Sequence, residues 1–291
     1  MAERRITRGL RSVGGERIWV VDAVPNRAEG AARTPLLLLN GIGASTALLE
    51  PLLERPELQR VIAFDLPGVG ASTAPSRMRR MRHLATLVAD LLEALDVPRA
   101  HILGVSWGGA LAQQVAFQYP ERCARLVLAA TSPGQWMVPP SPRVMLRMST
   151  PRRYTDASFF ERVAGSIYGG DLRHDQRVVA AVAQRMVAPT LRGYASQLYA
   201  LAGWSSLLWL HRLRQPTLVM AGADDPLVPL SNARILAHRI RDARLEVYDC
   251  GHLFLLTRIE RVARSLAGFL DRDAEPGPDH LGRRRPPSEC E

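Results

Sequence analysis

The hexapeptide Gly104-Val105-Ser106-Trp107-Gly108-Gly109 is the stretch that decides the fold of this chain. It follows an apolar run with strand character, His101–Val105, and it opens a helical pattern, Trp107–Tyr119, that stops before Pro120. A G-x-S-x-G sequence between a strand and a helix is typical of a nucleophile elbow, a tight turn that raises the serine hydroxyl above the edge of a sheet. Glycines are needed there because side chains would collide with neighbouring backbone. We therefore predict that Ser106 is a nucleophile, whereas a plain glycine-rich turn is the alternative.

Strand-length apolar runs alternate with helical patterns along the rest of the chain. The predicted strands are 17–23 in a leading hairpin, 36–39, 61–64, 101–105, 126–130, 217–221 and 245–248. Apolar residues at i, i+3, i+4 and i+7 predict an amphipathic helix over 83–96, and a similar pattern predicts a closing helix over 259–270. This alternation predicts an α/β fold with a mostly parallel sheet and helices on its faces.

A serine nucleophile needs a base, and the base needs an acid that holds its tautomer. His252 lies in the loop after the last predicted strand, and Asp225 follows the preceding strand. Nucleophile, acid and base in the order Ser106, Asp225, His252 match the order of an α/β-hydrolase triad. Asp224 is the competing acid, and Asp249 is a more distant third.

Two backbone N–H groups should bind the oxyanion of the reaction. We predict that they belong to Trp107, the residue after the nucleophile, and to Ile42, in the loop Asn40-Gly41-Ile42-Gly43. The spacing of glycines in that loop also resembles half of a dinucleotide-binding fingerprint, but Thr46 occupies the position of the third glycine. A dinucleotide site would also leave the elbow and His252 unexplained.

The segment 134–211 differs in composition from its surroundings. It contains nine of the 17 aromatic residues together with Met137, Met145, Met148 and Met186. We predict a helical lid over an apolar pocket, inserted into an α/β-hydrolase core formed by residues 1–133 and 212–272; a helical insertion with its own small core is the alternative. Residues 273–291 are rich in proline, glycine and charge without periodicity, which predicts a disordered tail.

Composition excludes several classes of protein. The formal net charge is +10, and all 38 basic residues are arginine, which indicates a compositional bias rather than nucleic-acid binding. Three widely spaced cysteines predict neither disulfides nor a paired zinc site. No signal peptide and no transmembrane segment is readable, since the longest uncharged stretches are too short or too polar to span a membrane. We therefore expect a soluble cytoplasmic protein.

From about residue 15 to 270 the chain resembles the intracellular medium-chain-length poly(3-hydroxyalkanoate) depolymerases. The motifs that carry the resemblance include Asn40-Gly-Ile-Gly-Ala44, Asp65-Leu-Pro-Gly-Val-Gly70, Gly104-Val-Ser-Trp-Gly-Gly-Ala-Leu-Ala-Gln-Gln114, Pro151-Arg-Arg-Tyr154, Ile167-Tyr-Gly-Gly170, Asp224-Asp-Pro-Leu227 and Gly251-His-Leu-Phe-Leu255. The resemblance implies a serine esterase that cleaves polyester granules in the bacterial cytoplasm to 3-hydroxyalkanoic acids, without a metal ion or an organic cofactor. By motif match it places the triad at Ser106, Asp225 and His252.

Three other functions are compatible with the same sequence features. A general carboxylesterase or a cofactor-free haloperoxidase-like enzyme would have the same triad and fold. A non-catalytic α/β-hydrolase-fold binding protein is a different class, and the complete triad argues against it. Side-chain preference, endo- or exo-cleavage, oligomeric state, the control of granule attachment and the role of the arginine-rich tail are not encoded in readable motifs.

The near-uncharged run Gly193–Leu210 is the candidate for granule contact. On a helix, Leu201, Trp204 and Leu208 recur at i, i+3 and i+7 and would share one face, which either packs on the core or meets the granule. If it meets the granule, we expect three arginines to add attraction to an anionic lipid coat, namely Arg152, Arg153 and Arg212.

Overall fold

The computed structural model describes residues 4–26 and 33–271, and its centre is an eight-stranded sheet. The strands are β1 (Arg4–Val13), β2 (Glu16–Pro25), β3 (Leu36–Leu39), β4 (Val61–Phe64), β5 (Ala100–Val105), β6 (Cys123–Ala129), β7 (Thr217–Gly222) and β8 (Ala243–Tyr248). They lie side by side in the order β1-β2-β4-β3-β5-β6-β7-β8. From β4 to β8 all neighbours are parallel, whereas the hairpin β1–β2 and its junction with β4 are antiparallel. The predicted mostly parallel sheet is confirmed.

Helices cover both faces of this sheet. In chain order they are α1 (Thr46–Leu53), α2 (Met81–Ala94), α3 (Trp107–Gln118), α4 (Pro142–Met148), α5 (Arg152–Thr155), α6 (Ala157–Tyr168), α7 (Gln176–Ala183), α8 (Leu191–Leu201), α9 (Leu230–Arg239), α10 (Phe254–Thr257) and α11 (Ile259–Leu270). The apolar sides of α2, α3 and α9 pack on one face, and those of α1 and α11 pack on the other. Strands buried on both faces explain why β3 and β4 consist entirely of buried apolar residues.

The five helices from α4 to α8 lie between β6 and β7, within the segment predicted as an insertion. N-cap residues fix where three of these helices begin. The side chains of Asp156, Asp175 and Thr190 accept hydrogen bonds from backbone N–H groups in the first turns of α6, α7 and α8, respectively. The buried face of α6 packs with residues from the loops after β3 and β7, such as Ala44 and Leu227. These helices therefore lie beside the carboxyl ends of the strands.

The prediction that Leu201, Trp204 and Leu208 share one helical face is wrong. Helix α8 ends at Leu201, because the chain turns at Gly203 with a φ of 77° and then forms a bridge between Gly134 and Ser205. The indole of Trp204 donates to the side chain of Gln114 and packs on the core, whereas Leu208 is 84% exposed.

The tail predicted over 273–291 lies outside the described residues. Within the ranges that the structure describes, none of the helices combines the length and the apolar composition that crossing a membrane requires.

Candidate active site

Ser106 lies in a strained turn between β5 and α3. Its φ of 55° and ψ of −117° lie outside the regions that residues other than glycine usually adopt. Three hydrogen bonds hold this backbone in place. The Ser106 N–H donates to the carbonyl of Ala129, and the Ser106 carbonyl accepts from the N–H of Gly109 and from the hydroxyl of Thr131. The turn has the geometry of a nucleophile elbow, and strain of this kind is characteristic of functional positions.

The two glycines around Ser106 allow this close packing. A β-carbon at Gly104 would collide with the carbonyl oxygen of Gly108, and one at Gly108 would collide with that of Leu39 on the neighbouring strand. Substituting either glycine would push the helix away from the sheet. The sequence argument for glycine beside the serine therefore has a direct steric cause.

Asp225 and His252 form a buried hydrogen-bonded pair. Nδ1 of His252 lies 2.7 Å from Oδ2 of Asp225, and the two residues are 3% and 6% exposed, respectively. The other carboxylate oxygen, Oδ1, accepts the backbone N–H groups of Leu227 and Val228 at 2.9 and 2.8 Å. These donors fix the carboxylate so that Oδ2 faces the imidazole. With Nδ1–H donating to Asp225, Nε2 carries the lone pair that a general base needs.

The two competing aspartates are engaged elsewhere. Asp224 forms an ion pair with Arg173 and accepts the backbone N–H of Gly170, and half of its side chain is exposed. The hydrogen bonds from Arg173 lower the pKa of Asp224 below its ordinary value. Asp249 is exposed at the end of β8. Of the three aspartates, the structure pairs only Asp225 with the imidazole.

The loop after β3 brings Ile42 to the side of the elbow. A β-carbon at Gly41 would lie 3.6 Å from Cβ of Ser106, so the backbone of this loop passes close to the serine. The carbonyl of Ile42 accepts hydrogen bonds from the hydroxyl of Tyr154 at 2.8 Å and from the guanidinium of Arg153 at 3.2 Å. Trp107 is the first residue of α3, where backbone N–H groups have no partner within the helix. The loop that carries Ile42 and the first residue of α3 therefore both lie beside Ser106.

Arg153 has a place that the sequence interpretation did not anticipate. Instead of contributing surface charge, its side chain is 2% exposed. Its guanidinium lies over the rings of Tyr154 and Tyr194 and donates hydrogen bonds to the hydroxyl groups of Tyr168 and Tyr194. Contacts with residues far away in the chain cause this burial, so the pair Arg152-Arg153 gave no local signal of it. Arg152 does lie at the surface, in an ion pair with Asp156.

Gln197 of α8 is a second residue that sequence reasoning missed. Its side-chain oxygen accepts the backbone N–H of Gly43, and its backbone carbonyl accepts the indole N–H of Trp107. It thus contacts the loop of one predicted oxyanion donor and the side chain of the other. A glutamine in a helix of mixed polarity carries no sequence signal for such a role.

His252 also contacts the inserted helices. The backbone N–H of His252 donates to the carbonyl of Tyr168 at 2.7 Å, and the two rings lie 5.9 Å apart between centroids. The neighbouring thiol of Cys250 is buried, and burial raises its pKa to about 11, so the thiol stays neutral at physiological pH. The candidate site thus contains a serine hydroxyl on a strained turn, an imidazole oriented by Asp225 and backbone N–H groups near Ser106, which are the groups that attack on a carbonyl requires.

Comparison with known proteins places this geometry in a family. Residues 34–259 match the family model of the alpha/beta hydrolase fold. The poly(3-hydroxyalkanoate) depolymerase of Ectopseudomonas oleovorans is 50% identical over 83% of this chain and 86% of its own length. The 2-hydroxymuconate semialdehyde hydrolase of Pseudomonas sp. (strain CF600) is 30% identical over 90% of this chain and 95% of its own.

Solved structures agree with the family match. The crystal structure of a hydrolase from Pseudomonas aeruginosa PA01 superposes with a TM-score of 0.76 at 28% identity, covering 91% of this chain and 98% of that protein. Sequence identity and backbone geometry thus lead to one assignment. The chain belongs to the alpha/beta hydrolase fold family, in the group that includes a poly(3-hydroxyalkanoate) depolymerase, and it is a carboxylic ester hydrolase.

Proposed function

We propose that this enzyme cleaves the ester bonds of medium-chain-length poly(3-hydroxyalkanoate) and releases 3-hydroxyalkanoic acids. The observation that carries the proposal is the 50% identity to a poly(3-hydroxyalkanoate) depolymerase. An alignment over 83% of the chain cannot leave out the whole inserted segment 134–211, which the sequence predicts to be a lid over the substrate. The similarity therefore extends into part of the predicted lid.

The proposed reaction is a two-step acyl transfer. Nε2 of His252 removes the proton of the Ser106 hydroxyl, whose oxygen attacks the ester carbonyl, while the N–H groups of Ile42 and Trp107 bind the oxyanion. The tetrahedral intermediate then collapses, the ester C–O bond breaks, and His252 gives its proton to the departing hydroxyl of the next monomer. Asp225 keeps the imidazole oriented and stabilises its charged form.

Hydrolysis of the acyl-enzyme repeats these steps with water. His252 removes a proton from a water molecule, the hydroxide attacks the acyl carbon, and the Ser106 oxygen leaves with the proton that His252 holds. The products are a 3-hydroxy acid and the free serine. None of these steps transfers electrons to a cofactor, and the residues named here supply every proton transfer.

The proposal extends to attachment at storage granules in the cytoplasm. Large apolar side chains are exposed on the inserted segment, among them Trp136, Leu146, Leu191 and Leu208. Burial of such side chains in the surface of a polyester granule would remove apolar area from water, and it would hold the enzyme beside its substrate. The exposed Arg152 and Arg212 could attract an anionic lipid coat, whereas the buried Arg153 could not.

A direct test compares three substrates with one enzyme preparation. We expect release of 3-hydroxy acids from an emulsion of poly(3-hydroxyoctanoate), much slower release from poly(3-hydroxybutyrate), and turnover of a short p-nitrophenyl ester. The Ser106→Ala variant serves as the control for contaminating esterases. Turnover of the short ester without release from either polymer would contradict the proposal in favour of a general carboxylesterase, and turnover of none would favour a binding protein.

A further inference from the structure

The guanidinium of Arg153 is a buried positive charge beside the loop of the proposed oxyanion donor. It donates hydrogen bonds to the hydroxyl groups of Tyr168 and Tyr194 at 3.0 and 2.9 Å, and to the Ile42 carbonyl at 3.2 Å. Among residues 4–26 and 33–271, no carboxylate lies within 4.0 Å of it. Arginine remains protonated in proteins, so the charge is permanent.

An uncompensated charge in the interior is costly. Desolvation of an ion is unfavourable unless an opposite charge replaces the lost water, and neutral oxygens replace it only in part. Burial raises the pKa of Tyr154 and of Tyr194, so these phenols stay neutral and provide hydrogen bonds without negative charge. A buried, permanent charge beside the predicted site is therefore a candidate partner for an anion that forms during the reaction.

The position of Arg153 indicates that this anion is the oxyanion of the reaction. Arg153 binds the carbonyl of Ile42, and the N–H of the same residue is the proposed oxyanion donor. We infer that Arg153 is a positioning residue for ester hydrolysis: it holds the Ile42 carbonyl, which fixes the orientation of the adjoining Ile42 N–H, and its positive charge attracts the oxyanion that this N–H binds. The inference rests on the proposed assignment of Ser106 as the nucleophile and Ile42 as an oxyanion donor.

This arrangement acts on the transition state rather than on substrate binding. The guanidinium is present and oriented before the reaction, whereas its counter-charge exists only after Ser106 has attacked the carbonyl. An interaction that is stronger in the transition state than in the ground state raises kcat and leaves KM nearly unchanged. A residue with a merely structural role would have no such selective effect.

The test compares Arg153→Met with Arg153→Lys and with Arg152→Met as the matched control. Arg152 is the preceding residue, and it is exposed at the surface. With a short p-nitrophenyl ester, we expect Arg153→Met to lower kcat about 10- to 100-fold with little change in KM. This loss is no larger than the loss expected when a direct oxyanion donor is removed. Arg153→Lys retains the charge and should recover part of kcat. Arg152→Met should cleave this soluble ester as wild type does, because granule attachment plays no part in the assay.

An oxyanion mimic supplies the second measurement. A trifluoromethyl ketone forms a tetrahedral oxyanion adduct with an active serine, so its affinity for Arg153→Met should fall by about the same factor as kcat. Unchanged kcat in folded Arg153→Met, or a loss of kcat without loss of affinity for the ketone, would overturn the inference.

A second variant covers the case in which Arg153→Met does not fold. Tyr154→Phe removes the other donor to the Ile42 carbonyl and keeps the ring. We expect a severalfold loss in kcat at constant KM, and an unchanged kcat would count against the inference. Ser106→Ala separates the two proposals: if it retains activity the proposed function fails, whereas if it is inactive and the Arg153 and Tyr154 variants are fully active only this inference fails.

Discussion

The side-chain oxygen of Gln197 accepts a hydrogen bond from the backbone N–H of Gly43 at 2.7 Å, although 154 residues separate the two in the chain. Gly43 follows Ile42, and its φ of 72° allows the loop to pass beneath the rings of Tyr154 and Tyr194, where a β-carbon would collide. The inserted helices are therefore bonded to the loop that carries one proposed oxyanion donor. We therefore expect substitutions in the inserted segment to affect catalysis.

Gln197→Leu should impair both stability and turnover. The substitution preserves approximate volume but leaves the Gly43 N–H without its acceptor in a buried position, which costs about 1–3 kcal/mol in free energy of unfolding. We also expect kcat for a short ester to fall, because the loop loses its anchor. Urea denaturation and steady-state kinetics measure the two effects. Gln184→Leu, at an exposed position of the same segment, is the control, and equal behaviour of both variants would contradict the prediction.

Ser106→Ala should abolish hydrolysis and leave the fold intact. Loss of the nucleophile costs on the order of 10⁶ in kcat in the subtilisin example. Circular dichroism and thermal unfolding check the fold, and turnover of a p-nitrophenyl ester checks the activity. Retention of more than a few per cent of wild-type turnover would refute Ser106 as the nucleophile.

Asp225→Asn should cost roughly 10⁴ in kcat, by analogy with the serine-protease acid. The backbone donors of Leu227 and Val228 require an oxygen at the position of Oδ1, so the new amide nitrogen would face Nδ1 of His252 and favour the wrong tautomer. Asp224→Asn is the matched control at the adjacent position and should have a much smaller effect. Matched kinetics with the opposite ranking would transfer the role of acid to Asp224.

The ion pair of Asp224 predicts a dependence of stability on pH. Hydrogen bonds from Arg173 lower the pKa of Asp224 in the folded state, so its stabilising contribution is present above the ordinary aspartate pKa of about 4 and is lost as the pH falls through the lowered value. Because the pair is exposed, we expect at most about 1 kcal/mol. The difference in unfolding free energy between wild type and Asp224→Asn should therefore be constant near neutral pH and vanish in acid. A difference that persisted at pH values near 2 would have another cause.

Trp136→Gln should weaken granule binding without loss of esterase activity on soluble substrates. Trp136 is 68% exposed on the inserted segment, and its burial in a granule would remove apolar area from water. Co-sedimentation with isolated granules and polymer hydrolysis should fall together, while a short p-nitrophenyl ester is still cleaved. Val247→Thr, at an exposed apolar position of β8 outside that segment, should bind as wild type. Equal damage to both substrates would mean that Trp136 supports the fold.

The elements that the sequence determined by itself are those with local causes. The strands β3 and β4 were predicted at their observed bounds, because uninterrupted apolar runs of strand length between turn residues have few alternatives. The elbow at Ser106 was predicted because a strand, a glycine-flanked serine and a helix follow one another within a short stretch. The family followed from the same motifs, and the match over residues 34–259 confirms it.

The tertiary structure decided whatever depends on contacts between distant residues. The pairing of His252 with Asp225 rather than with Asp224 follows from the backbone donors that orient one carboxylate, while Arg173 engages the other. The end of α8 at Leu201 follows from a turn that pairs with the chain after β6, against a helical periodicity that continues further.

Arg153 is the clearest example of a residue whose surroundings the local sequence does not determine. Its neighbour Arg152 has the same residue type and a similar local sequence, yet one guanidinium is exposed and the other is enclosed by three tyrosines from the inserted helices. Local sequence sets backbone conformation through steric and hydrogen-bonding preferences. Burial of a side chain depends on which distant elements cover it, so the buried charge beside the loop of Ile42 is apparent only in the tertiary structure.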